Sequence, residues 1–135
     1  MKAFLLLALL TLAAAACGGS PASSVDDHLH LTAKDNGRTF DIAKGGEIMV
    51  VLSSNASSGF SWAVLEPLPD QLRLQGEPEY VPPRGASPAA GAPGEQVFTF
   101  RAAKSGTAEL RLSYRRPFDS SAAPAETFAA TIVVR

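Results

Sequence analysis

The sequence is poor in the residues from which most hydrolytic and redox sites are built. Its 135 residues contain one cysteine, Cys17, and two histidines, His28 and His30, which lie close together near the N-terminus. A single cysteine excludes an intramolecular disulfide, and the histidines lie outside any Gly-x-Ser-x-Gly or other nucleophile motif. Because a nucleophilic enzyme needs a base beside its nucleophile, we expect a protein that is not an enzyme and that uses no cofactor.

An excess of positive charge is also missing. Without Lys2, which belongs to a predicted signal, the chain has 11 basic and 13 acidic residues and a net charge of −2. This balance predicts neither a nucleic-acid-binding face nor a polybasic membrane patch. Any attachment to a membrane is therefore expected to come through Cys17.

The first 16 residues are typical of an export signal. Lys2 provides a positive start, an apolar run too short to span a bilayer follows over 4–12, and small residues precede Cys17. We therefore exclude residues 1–16 from the folded domain.

Cys17 lies where a bacterial lipoprotein carries its lipid. The three alanines over 14–16 fit simple signal cleavage and also resemble a lipobox, although Leu is the usual residue three positions before the cysteine. We predict a lipidated Cys17 and a flexible tether over 17–27. By resemblance to the sorting rules of Gram-negative lipoproteins, Gly18 in place of Asp implies an outer-membrane protein that faces the periplasm. A soluble periplasmic or secreted protein is the alternative.

Helical periodicity is absent after the signal, and period-two alternation of apolar and polar residues is present instead. The clearest segments cover 28–33, 38–43, 47–53, 60–65, 97–102, 108–115 and 128–134, with shorter candidates at 72–74 and 80–81. We predict seven or eight strands in one domain, residues 28–135, folded as an immunoglobulin-like antiparallel β-sandwich. Residues 35–37 predict a tight turn, and residues 104–106 predict a hairpin turn.

The inward positions of these strands predict the hydrophobic core. They are Phe40, Ile48, Val50, Leu52, Trp62, Phe98, Phe100, Leu110, Leu112, Phe128, Ile132 and Val134.

Three connections between predicted strands carry small or special residues. Loop 1 contains Asn55, Ala56, Ser57, Ser58, Gly59 and Phe60; loop 2 contains Gly91, Ala92, Pro93 and Gly94; loop 3 contains Arg116, Pro117 and Phe118. Loops that join alternate strands of a sandwich emerge at the same end, so we expect these three to cluster.

The ordered set resembles the chagasin-like inhibitors of papain-family cysteine proteases. That family carries Asn-Pro-Thr-Thr-Gly and a following aromatic or similar residue, then Gly-x-Gly-Gly, then Arg-Pro-Trp or Arg-Pro-Phe. Here Ala56 replaces the proline and Pro93 replaces a glycine, which affects affinity more than fold. The resemblance implies a reversible, non-covalent inhibitor whose three loops occlude the protease active-site cleft. Nothing in the sequence argues against a monomer, which we expect. It does not identify the target, which could be endogenous or foreign.

Two other interpretations remain at this point. An immunoglobulin-like envelope lipoprotein could act as a structural or adaptor module through the same loops. His28 and His30, which share a strand face and follow Asp26 and Asp27, could instead bind a metal, although two imidazoles alone are a weak ligand set.

Overall fold

The computed structural model describes residues 18, 24–85 and 91–135. The predicted signal, Cys17 and residues 19–23 of the predicted tether lie outside these ranges. The described chain is built from strands: β1 (His28–Thr32), β2 (Thr39–Ile42), β3 (Glu47–Ser54), β4 (Ser61–Val64), β5 (Leu72–Leu74), β6 (Glu79–Val81), β7 (Gly94–Ala102), β8 (Gly106–Arg115) and β9 (Glu126–Val134). Two 3₁₀ turns, Ala33–Asp35 and Ala56–Ser58, complete the regular structure of the described ranges.

The strands form two packed sheets. The first has the order β1-β3-β7-β5, with β6 also paired to β7, and the second has the order β2-β9-β8-β4. The predicted all-β sandwich is confirmed. The described ranges contain nine strands, however, and not seven or eight, because both short segments pair with β7.

Both sheets are mixed because β1 and β2 each join an edge in parallel orientation. β1 pairs with β3, and β2 pairs with β9. The alternation of apolar and polar residues is the same in parallel and antiparallel edge strands, so this pattern gave no sign of the parallel pairs.

The predicted hairpin turn at 104–106 is wrong. β7 belongs to the first sheet and β8 to the second, so this connection carries the chain across the sandwich. A short glycine-containing connection can form a hairpin within one sheet or cross to the other sheet. The strands on both sides alternate in the same way in the two cases, so the pattern does not distinguish them.

The core lies between the sheets and contains 11 of the 12 predicted residues. Phe40 is the exception: it is half-buried on the edge strand β2, where Arg38 Cζ lies 5.4 Å from its ring centroid. The core also contains residues that we did not include, namely Leu31, Ile42, Leu72, Ala102, Ala108 and Ala130.

The two ends of the sandwich are about 25 Å apart, the length of an eight-residue strand such as β3. At one end, Ser54 of β3 lies opposite Gly94 of β7. At the other end, the N–H of Ala102 donates to the carbonyl of Gly46. We call these the loop end and the tether end.

The N-terminal segment joins the sandwich at the tether end. The N–H groups of Ala43 and Glu47 donate to the carbonyls of Asp26 and Asp27, at 2.9 and 2.8 Å. Among the described residues, no helix has the length and apolar character needed to cross a membrane.

Candidate functional site: three loops at one end

The strand register places loop 1 between the other two loops. Loop 1 leaves β3 at Ser54, opposite Gly94 of loop 2. It enters β4 at Ser61, opposite Arg115, the residue before loop 3. The structure therefore brings the three predicted stretches together at the loop end.

Loop 1 is a compact, hydrogen-bonded turn. The Asn55 side-chain oxygen accepts from the N–H and the hydroxyl of Ser57, at 3.1 and 2.7 Å. The N–H and the hydroxyl of Ser58 donate to the Asn55 carbonyl, at 3.1 and 2.7 Å. These bonds cap the 3₁₀ turn Ala56–Ser58 and hold the small side chains of loop 1 in place.

Gly59 ends this turn in the left-handed region, with φ of +77°. An L side chain is strained there, so glycine is the residue this turn favours. A Cβ at this position would meet no atom of the described chain within 4 Å. The backbone of Gly59 is therefore open to close approach by another molecule.

Asn55 also links loop 1 to its neighbours. Its side-chain amide donates to the Gly91 carbonyl of loop 2 at 2.9 Å. Its backbone N–H donates to the Tyr114 hydroxyl, just before loop 3, at 3.1 Å. One residue thus connects loop 1, loop 2 and the strand that leads into loop 3.

Loop 3 packs against loop 1 through a cation–π contact. Arg116 Cζ lies 4.8 Å from the Phe60 ring centroid, and the Phe60 and Tyr114 ring centroids are 5.5 Å apart. Phe118 projects into solvent and is 96% exposed. An aromatic side chain that the fold does not use for packing is typical of a binding residue.

A turn directly after loop 3 is fixed by Asp119. The Ser121 hydroxyl and the Ala122 N–H donate to its carboxylate at 2.8 and 3.2 Å. These bonds, the Ser121 bond first, lower the pKa of Asp119 from its ordinary value of 3.8. The charged carboxylate therefore holds this turn, and the pH must fall below the ordinary range of an Asp before the turn loses its charged acceptor.

Gln96, which lies beneath loop 1, was not predicted from sequence. Gln96 of β7 accepts from the Ser54 hydroxyl and the Trp62 N–H through its side-chain oxygen, at 3.0 and 2.7 Å. Its amide donates to the Trp62 carbonyl at 3.3 Å, and the Trp62 indole donates to the Ser53 carbonyl at 2.9 Å. Gln96 thereby joins the two sheets where loop 1 leaves them.

Loop 2 faces partly inward. Gly94 is the buried first residue of β7, and a Cβ there would clash with the Val81 carbonyl oxygen and lie 2.7 Å from the Tyr80 hydroxyl. Glycine at this position serves the close packing of β6 on β7. Gly91 and Pro93 are the exposed residues of this loop.

A shallow groove of about 330 Å³ lies between loops 1 and 3. Its walls are formed by Phe60 of loop 1, Phe118 of loop 3, Tyr80 of β6 and Gln96 of β7, among others. The loop end therefore has a partly apolar recess between loops 1 and 3, which is suited to contact with a protein.

His28 and His30 lie on β1, away from the loops, and both are exposed. Within the described ranges, no three His, Cys, Asp or Glu side chains come together in a way that could hold a metal ion. His28 Nε2 lies 3.8 Å from an oxygen of Asp27, a contact between two exposed side chains.

Comparisons with known proteins agree with this geometry. The family described as chagasin family peptidase inhibitor I42 matches residues 41–132, which include all three loops. The chain is 30% identical over 95 residues to amoebiasin-1 of Entamoeba histolytica, covering 70% of this chain and 88% of that protein. It is also 30% identical over 101 residues to chagasin of Trypanosoma cruzi, covering 73% and 90%.

The fold is also similar to a solved inhibitor. The crystal structure of the cysteine protease inhibitor EhICP2 from Entamoeba histolytica superposes with a TM-score of 0.68 at 26% identity, covering 80% of this chain and 96% of that one. Membership in a family of inhibitors means that the protein is not an enzyme, and it does not favour the adaptor interpretation. The chain belongs to the chagasin family of peptidase inhibitors.

Proposed function

We propose that this inhibitor blocks papain-like cysteine proteases by inserting its loop end into the active-site cleft. The observation that carries the proposal is the convergence of three loops around Asn55, which bonds to Gly91 and Tyr114 at 2.9 and 3.1 Å. Such a convergent edge buries a continuous surface in a cleft, whereas separate loops would not. An interface of about 1,600 Å² is the usual size for a protease–inhibitor complex.

Each loop has a distinct part in this mechanism. Gly59, Ser57 and Ser58 present backbone and small polar groups at the centre, where a protease keeps its catalytic thiolate. Arg116 and Phe118 contact one wall of the cleft, and both residue types are common hot spots of interfaces. Loop 2 contacts the other wall through its exposed part at Gly91 and Pro93.

The same geometry protects the inhibitor from cleavage. Protease substrates bind in an extended form, whereas Ala56–Ser58 forms a 3₁₀ turn between two core strands. Unfolding this turn would break the four hydrogen bonds that Ser57 and Ser58 donate to Asn55. Because the loop is already ordered, binding loses little additional conformational entropy.

Steady-state inhibition tests the proposal directly. The mature chain from Cys17 onward should inhibit papain and a cathepsin L-type protease reversibly in the nanomolar range, and a serine protease should be unaffected. After prolonged incubation with papain, mass spectrometry should find residues 55–60 uncut. Failure to inhibit either cysteine protease at micromolar concentration would contradict the proposal.

We also propose that the protein is exported and tethered to the outer membrane through a lipid on Cys17. The signal-like residues 1–16 and the small residues before Cys17 support this. Expression in a Gram-negative host with labelled palmitate should give a labelled membrane protein, and Cys17→Ser should abolish the label. An unlabelled, soluble wild-type protein would contradict it.

A further inference from the structure

We propose that the tether end of the domain docks on anionic lipid headgroups through a basic concavity formed by Lys44, Arg73, Arg101 and Lys104. These residues surround a recess of about 530 Å³ whose floor includes Gly45, Ala102 and Ala103. The proposal rests on the proposed tether at Cys17, and it assigns a surface that the inhibitory loops do not use. The net charge of −2 gives no indication of it, because the fold gathers cations that are distant in sequence.

The four cations come from three separate parts of the tether end. Lys44 lies in the β2–β3 turn, Lys104 follows β7, and Arg73 of β5 is the direct cross-strand partner of Arg101 of β7. All four are exposed. Arg101 is held in place because its guanidinium donates to the Gly45 carbonyl at 3.0 Å.

The acidic groups near the recess neutralise only part of this charge. Lys104 lies 3.8 Å from Asp70, and both side chains are well exposed. Glu47 is the cross-strand partner of Arg101 on its other side. Lys44 and Arg73 make no ion pair within 4.0 Å among the described residues. Glu66 lines the adjoining recess with Arg73 and Lys104. Counted with Asp70, Glu47 and Glu66, the recess has one positive charge in excess.

A small excess of positive charge is sufficient for docking because the tether is short. Six residues lie between Cys17 and Ser24, the start of the continuously described chain, so these two residues are at most about 25 Å apart. A tether of this length holds the tether end at a millimolar effective concentration near the headgroups. Even a weak attraction then keeps the recess bound to the headgroups. Each cation near an anionic surface strengthens partitioning about fivefold at physiological salt.

Docking in this orientation has a consequence for the loops. The N-terminal segment enters at the tether end, and the inhibitory loops lie about 25 Å away at the opposite end. A domain seated on its basic concavity therefore points its loops away from the membrane, toward proteases in the surrounding space.

The lone cysteine allows a test that does not depend on lipidation in the cell. Cys17 of the mature chain is coupled to a maleimide lipid in vesicles of phosphatidylcholine, with or without one quarter phosphatidylglycerol. Lysine acetylation is then followed site by site by mass spectrometry. We expect Lys44 and Lys104 to react about threefold or more slowly on the anionic vesicles, and this difference to disappear at 1 M salt, where the Debye length is about 3 Å. Lys34, which is exposed between β1 and β2, is the internal control and should not change.

A matched pair of charge reversals sharpens the test. Arg73→Glu should restore the reactivity of Lys44 and Lys104 to within about twofold of the zwitterionic rate. Arg111→Glu, the same change at an exposed position of β8 in the other sheet, should leave the protection intact. Neither variant should alter inhibition of papain in solution, so a failure of docking is distinguishable from a failure of the inhibitory mechanism.

Three outcomes would overturn the proposal. Equal reactivity of Lys44 and Lys104 on both vesicle types would show that this end does not dock. Equal loss of protection in Arg73→Glu and Arg111→Glu would show that overall charge is responsible. The same slowing by inorganic phosphate without vesicles would indicate a general anion site and not a membrane surface.

Discussion

The tips of the three loops and the base beneath them differ in how the fold uses them. Phe118 at a tip is 96% exposed, whereas Trp62 in the base is 5% exposed and packs on Tyr114 with ring centroids 5.1 Å apart. Gly59 at a tip has open space around it, whereas Gln96 in the base bonds to both sheets. The tips are therefore free to bind, and the base holds them in position.

This difference predicts two separable kinds of variant. Removing an exposed tip side chain such as Phe118 takes away binding energy and leaves the free energy of unfolding nearly unchanged, because that side chain makes few internal contacts. A change in the base lowers both, since the loops lose their support when the strands below them loosen. Measuring inhibition and thermal unfolding on the same variant separates the two.

Trp62→Ala should have the largest effect. Removing this buried ring leaves a cavity and breaks the indole bond to the Ser53 carbonyl, which together cost about 3–5 kcal/mol of stability. We expect the unfolding temperature to fall by more than about 10 °C, with inhibition reduced as well. Trp62→Phe, which keeps an aromatic ring but not the indole donor, should be intermediate. A Trp62→Ala variant with normal stability and no inhibition would place Trp62 among the tips.

Gly59→Leu tests the centre of the edge and has a matched control. Gly37, with φ of +79° in the turn before β2, has nearly the same backbone conformation and equally open space. Both Leu variants should lose about 1–2 kcal/mol of stability from backbone strain. Only Gly59→Leu should weaken papain inhibition, by at least about 100-fold, because a side chain there meets the protease. Equal inhibition by both variants would show that Gly59 does not lie in the interface with the protease.

The same division explains how much the sequence predicts. The tip residues Asn55, Gly59 and Phe118 stand in short motifs, because small loops need particular residues at particular positions. Gln96 and Tyr114 carry no such signal. Gln96 meets Trp62 34 residues away, and Tyr114 meets Asn55 59 residues away, and only the fold brings those pairs together.

The sandwich itself follows from the alternation of apolar and polar residues. This alternation predicts which residues of a strand face the core, but not which strand lies beside it. Leu31 and Ile42 are buried as their alternating patterns imply. The parallel placement of β1 and β2 at the edges, and the crossing of residues 104–106 between sheets, depend on packing between distant strands. Local sequence does not specify such packing.

Phe118→Ala should affect binding alone. Loss of an exposed aromatic hot spot typically costs about 2 kcal/mol, which corresponds to roughly a 30-fold weaker inhibition constant. The free energy of unfolding should change by less than about 0.5 kcal/mol, because the side chain is almost fully solvated. Phe118→Trp should retain inhibition. If Phe118→Ala inhibits as strongly as the wild type, loop 3 does not provide an anchor and the three-loop mechanism is wrong.

Tyr114→Phe should have the smallest effect, and it tests whether the base acts through a single hydrogen bond. The variant keeps the ring that packs on Trp62 and Phe60 but removes the oxygen that accepts from the Asn55 N–H at 3.1 Å. Losing one such bond costs about 0.5–1.5 kcal/mol, so stability and inhibition should both fall slightly.

Tyr80→Phe is the matched control for this hydroxyl, because the Tyr80 side chain also lies at the loop end but makes no hydrogen bond to the described residues. It should leave stability unchanged. A Tyr114→Phe variant that loses inhibition but no stability would show that the Asn55 bond orders loop 1 without supporting the sandwich. The boundary between tip and base would then lie at Asn55 and not at the end of β3.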